Sequence, residues 1–582
     1  MKNKYKLFVY LFTLITFSSC EDFLDRPPLN MITDKEITFS ATEMELYVNK
    51  YYGNFPSPWI TEYGIFGLDN SSDNMIHGNY NNNGLLSGVY IEPTSDGGWD
   101  WTNVRSVNFF IENYHKTKES MNNVAPYIGE AYFWRAWFYF GLMKNYGDLP
   151  WINKTLSIES EELYGERLSR TIIADSIIAD MDKAIAFLPT RSNAAQGRVH
   201  KEAALLFQAR IALYEGSWEK YHNGTIFGVV NANPDRFFHK AATATDELIN
   251  MKTHEIEKGG TKPEEYYWGL FNKKDYSKSK EIMMYRAHNI SLGINEWTNN
   301  YFGVSDANTG ISKYLVESYL CTDGKPISLS PLYQGDDLVD NELKNRDPRL
   351  TQTIYKKGDV RNSVNGVASG YFTYPDMAFE SRLRNTTGYQ LKKGANPEAN
   401  HTSGDETGTI IFRYAEALLI HAEAKAELNE CTQDVLDKTI NVLRDRVSMP
   451  HLNVNVEFID PKWEFPELSP LLNEIRRERR VELGCEGYRF DDLYRWAATR
   501  LIKRPMYGAK IQQFIDAKDQ FKPVLDPNNI SVNEKGYIAP YWDSPAKNGW
   551  QFDEKKNYLY ALPLDQLIMN TKLKQNPGYK KP

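Results

Sequence analysis

Residues 473–501 read NEIRRERRVELGCEGYRFDDLYRWAATRL. Glu474, Glu478 and Glu482 recur every four residues, which places them on one stripe of a helix. Arg476 and Arg480 form a second stripe, widened by Arg477 and Arg479, and Leu472, Ile475 and Leu483 line an apolar strip between the two. Gly484 stands where such a helix would stop in the left-handed conformation. After Gly487 the pattern restarts. Phe490, Leu493, Trp496 and Ala497 mark the apolar face of a second helix, and Asp491 and Asp492 suit its positive N-terminus. The stretch predicts a helical hairpin with a short connection. Its charged face is either solvated, with local ion pairs, or a network pinned under a neighbouring segment. The interleaved glutamates argue against a nucleic-acid surface, because a phosphate-binding stripe should not carry its own anions. The formal charge of −8 argues the same way.

Working outward, the same helical period returns through much of the chain. Helix is expected from about 42 to 52 and again from about 101. APYIGEAYFWRAWFYFGLMKNY (125–146) is apolar nearly all round, so it belongs at the centre of a helical stack, with Trp134, Trp137 and Phe138 in the core. Gly147 ends it. Further helices are expected over 170–188, 199–215, 235–250, 411–429 and 434–447. Paired in hairpins, they predict a mainly α fold with a tetratricopeptide-like scaffold, although the period is irregular. Between about 255 and 405 Gly, Asn, Asp, Ser, Tyr and Pro dominate, with short strand-like pieces such as 281–285. This predicts a loop-rich lobe inserted into a scaffold formed by about 36–254 and 406–582, the two making one domain.

The run IRRERRVELGCEGYRFDDLYRW (475–496) resembles the C-terminal signature of the SusD/RagB family, outer-membrane lipoproteins of Bacteroidetes that bind nutrients, mostly glycans. NYLYALPLDQLIMNTKLKQNPGY (557–579), YGDLPW (146–151), DPRL (347–350) and FRYAEALLIHAEAKAELNE (412–430) resemble the family as well, so the likeness covers almost the whole chain. It implies a tetratricopeptide-like scaffold with a loop-rich lobe. It also implies capture of an oligosaccharide for a SusC-like TonB-dependent transporter, with peptide as the ligand of RagB-like members.

The N-terminus fits that address. MKNKYKLFVYLFTLITFSSC (1–20) has three lysines, an apolar run too short to span a bilayer comfortably, and a Ser-Ser pair before Cys20. The order resembles a lipobox, with Phe17 where Leu is more usual. Cleavage after residue 19 would leave Cys20 as a lipidated N-terminus, tethered by 20–35, and the acidic Glu21 and Asp22 resemble a signal for the outer face. Of the other cysteines, Cys321, Cys431 and Cys485, three cannot all pair within one chain, so at least one thiol should be free or buried.

Chemistry is sparse. No Walker loop, dinucleotide glycine motif, nucleophile elbow or HExxH motif occurs. No catalytic residue and no cofactor is assigned, and the chain is expected not to be an enzyme, a surface glycan hydrolase being the alternative. His421 and Glu423, two apart on a helix, do not share a face and fit core or surface positions better than a metal site. Asp69, Asn70, Asp73 and Asn74 offer an oxygen-rich loop for a structural Ca²⁺, without EF-hand spacing. Aromatics make up 13% of the chain, and sugar rings pack on aromatic faces while amides and carboxylates take their hydroxyls. The long loops 53–98 and 255–405 are therefore the expected platform. Trp99, Trp297 and Tyr301, helped by Asp73 and Asn74, are the candidate ligand contacts.

Overall fold

The computed structural model describes residues 39–56, 64–81, 83–299, 308–378, 384–399 and 404–581. Tyr301, Cys20 and the tether 20–35 lie outside the described residues. The fold is mainly helical. Its scaffold is built from α1 (Ala41–Asn49), α2 (Thr102–Asn113), α3 (Met121–Tyr146), α4 (Arg170–Phe187), α5 (Lys201–Tyr221) and α6 (Pro234–Met251). Local chemistry sets their ends. Ser40 and Glu43 form a reciprocal capping box at α1. Gly147 ends α3 at φ 74°, and Pro234 opens α6 at a position where its missing N–H is harmless. α1 and α2 pack on α3, α3 on α4, α4 on α5 and α5 on α6. This is the tetratricopeptide-like array of hairpins that the period suggests.

The lobe follows, with β1 (Ile282–Arg286), α7 (Lys313–Ser318) and the hairpin β2 (Val360–Val364) and β3 (Val367–Tyr371). The chain then returns through β4 (Thr409–Arg413) into α8 (Tyr414–Glu427), which packs on α6. Residues 411–413, expected to open a helix, are instead strand: β4 pairs antiparallel with β1. α9 (Gln433–Lys438) and α10 (Ile440–Arg446) lead to α11 (Pro470–Leu483) and α12 (Arg489–Arg495), the hairpin of the opening stretch.

Two apolar clusters result among the described residues. One runs through the helical scaffold and holds Trp134, Phe133 and Trp218, with Trp137 and Phe138 packed against it. The other centres on the lobe but also takes Phe66, Met75 and residues from Ala509 to Ile538, so lobe packing reaches beyond 405.

Between the clusters lies α11, and its charged stripes are buried. Arg349 Nη1 donates to Glu478 (2.6 Å) and Glu482 (2.9 Å). Glu482 also receives Arg413 (2.8 Å) and Arg446 (2.5 Å). Arg444 reaches Glu478 at 2.9 Å, Arg413 reaches Glu486 at 2.7 Å, and Arg479 reaches Asp492 at 2.8 Å. The network is thus pinned under neighbouring segments rather than solvated. It joins the DPRL, FRYAE and RRERR stretches into one ionic seam between lobe and scaffold.

The turn after α11 departs from expectation. Gly484 has φ −54°, and Cys485 takes the left-handed conformation at φ 63°. Two contacts hold it there: Gly484 O accepts Lys393 Nζ (2.8 Å), and Cys485 N donates to Asp69 Oδ2 (2.7 Å). Cys321, Cys431 and Cys485 are all free and buried. His421 donates to or accepts from Thr245 Oγ1, and Glu423 is paired with Arg495, so both are core residues.

Candidate functional site

The two loops singled out in the sequence meet. Ser312 N donates to Asn74 O, Ile76 N to Gly310 O, and Gly78 N to Asn308 O, each at 2.8 Å. The Asn308 amide packs directly over Gly78, where a Cβ would lie 2.1 Å from it and would displace that side chain. A third segment closes the junction: Thr386 Oγ1 donates to Ile76 O (2.6 Å), and Ile311 N to Tyr389 O (3.1 Å). From the C-terminal part, Tyr541 OH donates to His77 O (2.7 Å).

The α11–α12 hairpin anchors the junction from below. Arg489 grips Asp73 with Nε and Nη2 (2.7 and 3.0 Å), Arg504 Nη2 adds 3.0 Å, and Arg480 Nη2 lies 3.2 Å away. Burial alone would raise the Asp73 carboxyl, but the charges of Arg480, Arg489 and Arg504 outweigh it and hold it well below the ordinary carboxylate range. Asn74 accepts Arg480 Nε (2.8 Å) and donates to Asp69 (2.9 Å). Among the described residues Asp69 is met by neutral donors, Asn74 and the Cys485 amide, so burial dominates and pushes its carboxyl up to about 6.

These contacts correct the expected ligand set. Asp73 and Asn74 are fully buried and their side chains are engaged by arginines and, for the Asn74 amide, by Asp69, so they anchor the loop and leave no face for a sugar. Trp99 is buried as well. It meets Tyr146 edge-on at 4.9 Å and Trp101 at 5.2 Å, and serves the scaffold core. The oxygen-rich stretch does not fit a cation either. Asp73 faces three guanidinium groups, and the Asn70 amide oxygen accepts the Thr309 hydroxyl.

Trp297 remains at the surface, half-buried on a tightly held turn. Its neighbour Glu296 exchanges backbone hydrogen bonds with Asp405, and the Glu296 carboxylate accepts Thr298 N (2.5 Å) and Asn299 Nδ2 (2.8 Å). Burial, together with the Asp405 charge, pushes the Glu296 carboxyl up to about 7. This pair does not make a hydrolytic site. Both carboxyls are buried, Asp405 accepts Thr407 Oγ1, and the adjoining cavity of about 20 Å³ is room for little more than a water. Outside the turn, Asn79 and Asn81 are exposed and His77 and Tyr80 half-buried, so the junction presents amides beside rings. Sequence reasoning missed His77, Asn79 and Tyr80 as surface candidates, although all three lie in the loop it chose.

Comparison with known proteins agrees with this architecture. Residues 259–579, more than half of the chain, match the model of the SusD family, and residues 22–213 match a family described as starch-binding and associating with the outer membrane. SusD-like protein P2 of Formosa agariphila is 22% identical over 99% of this chain and 100% of its own. A SusD-like protein from Bacteroides fragilis superposes with a TM-score of 0.71 at 23% identity, covering 95% of this chain and 100% of that one. A SusD-like carbohydrate-binding protein from the same species gives 0.69 at 22% identity, covering 92% and 100%. The chain belongs to the SusD/RagB family.

Proposed function

We propose that this protein is a surface lipoprotein that binds an oligosaccharide and delivers it to a SusC-like TonB-dependent transporter, without hydrolysing it. The observation that carries the reading is the surface of the loop junction, where a family member exposes Asn79 and Asn81 beside half-buried His77 and Tyr80; Trp297, half-buried on its own anchored turn, is proposed as a stacking ring. Tyr301, a few residues on, is proposed as a second stacking ring. A fixed ring binds a sugar face with little loss of rotamer freedom. Support for the ligand class comes from the B. fragilis neighbour, a carbohydrate-binding protein, and support for the membrane address from the starch-binding, outer-membrane family that matches residues 22–213. Cys20 is proposed as the lipidated anchor. No helix among the described residues is long and apolar enough to cross a membrane.

Calorimetry of the purified protein against panels of oligosaccharides and peptides tests the reading. An oligosaccharide should bind, with no release of reducing ends. Trp297→Ala should weaken it by about 2 kcal/mol, roughly thirty-fold, at an unchanged melting temperature. Binding of peptides and of no glycan would overturn it.

A further inference from the structure

We propose that a groove on the lobe is a second saccharide subsite, suited to a neutral pyranose ring; the proposal rests on the glycan-binding reading above. The groove encloses about 330 Å³, at the low end of the roughly 300–1,000 Å³ of small-molecule sites. Its floor is aromatic. Tyr355 and Phe372 are buried and stack with centroids 5.0 Å apart and planes 17° apart, and Phe514 is buried beside them. Tyr374 forms a half-buried wall, backed by Phe521 at 5.3 Å and met edge-on by Phe514 at 6.3 Å. A ring braced in this way is already ordered before a ligand arrives.

The rim supplies the complementary chemistry. Asp340, Lys356, Lys357, Asp516 and Gln520 line the groove and are exposed. Carboxylates accept, ammonium groups donate, and the amide does both. Two positive and two negative groups leave the rim without net charge. A sulfated or carboxylated sugar therefore gains no net attraction, whereas a neutral ring with hydroxyls on several sides uses both kinds of partner. Apolar C–H faces against rings and hydroxyls against mixed donors and acceptors are what a pyranose offers.

The groove also begins beside the loop junction. Gly388 lines it at φ +83°, where a Cβ would lie 2.8 Å from the Phe514 ring, so the floor depends on a residue without a side chain. Two residues earlier Thr386 is bonded to Ile76 of the first loop. Two residues of chain span at most about 7 Å. The segment 386–388 that closes the junction thus also lays down part of the groove, which sets the two next to each other along the chain.

The test is calorimetry with neutral glucan, galactan and mannan oligosaccharides, short (about two units) and long (about seven), on wild-type protein, on Tyr374→Ala and on the rim double variant Asp340→Ala with Gln520→Ala. For the long ligand both variants should lose about tenfold in affinity, as expected for a contact of hot-spot size. The short ligand and the melting temperature should not change. The rim variant decides the matter if Tyr374→Ala fails to fold. Unchanged affinity for the long ligand in the rim variant, with Trp297→Ala still impaired, would sink the groove alone. Preference of the groove for acidic over neutral chains would overturn the stated ligand class. Failure of the wild-type protein to bind any saccharide would remove both this proposal and the reading beneath it.

Discussion

Asp69 and Asp73 stand four residues apart in one loop and are driven in opposite directions. Asp73 is ringed by guanidinium groups, whereas Asp69 is buried with one oxygen, Oδ1, that has no hydrogen-bond partner among the described residues. Folding raises the Asp69 carboxyl from 3.8 to about 6. The sign follows from proton linkage. The folded state favours the protonated form, so the associated stability is complete below about pH 4 and is lost as pH rises through about 6. Near neutrality the ionised group costs on the order of 3 kcal/mol. Asp69→Asn keeps an acceptor for the Cys485 amide and cannot ionise. Its melting temperature should exceed that of the wild type at pH 7.5 and approach it at pH 4. A difference that does not vary across this range would refute the assignment. Neither aspartate's role was legible in the sequence. A polar loop reads as exposed, and the groups that bury it, Arg480, Cys485 and Arg489, lie about four hundred residues away. Trp99 misled for the same reason: Tyr146, its partner, belongs to a different element.

At the scale of elements, helices were legible wherever apolar residues repeat locally: α3, α4 and α6 follow the expected bounds within four residues, whereas α5 runs six residues past the expected end at 215. β4 was not, because IIFRYAEALL carries its apolar run straight into α8, and its partner strand lies more than a hundred residues earlier. α11 shows the limit of helical periodicity in another way. The spacing revealed its stripes, but only packing shows that they face buried partners. Glu482 is the centre of that packing, with Arg349, Arg413 and Arg446 on one carboxylate. Glu482→Ala would leave three buried guanidinium groups short of an anion, and should cost about 3–5 kcal/mol in urea unfolding. A loss below about 1 kcal/mol, the scale of an exposed pair, would mean that the seam contributes no more than surface charge does.

At the scale of the molecule, the proposed anchor makes its own prediction. Cys20→Ala should move the protein from the outer-membrane fraction to the soluble one, or leave it unprocessed. Retention in that fraction, in cells lacking the transporter, would disprove lipid anchoring. The seam has a further bearing on how the whole chain meets acid. Burial alone would raise the carboxyls of Glu478, Glu482 and Glu486, but neighbouring arginines, with Lys393 at Glu486, hold all three below their ordinary value. The stability they contribute is present at neutral pH and goes only as pH falls through those lowered values. Exposed carboxylates neutralise earlier, near pH 4. With 68 lysines and arginines against 76 aspartates and glutamates, the chain turns from an anion into a strong cation over that interval. Acid therefore reverses the sign of the protein's outer field, and with it the particles and surfaces that attract it, before Glu478, Glu482 and Glu486 of the seam lose their charge.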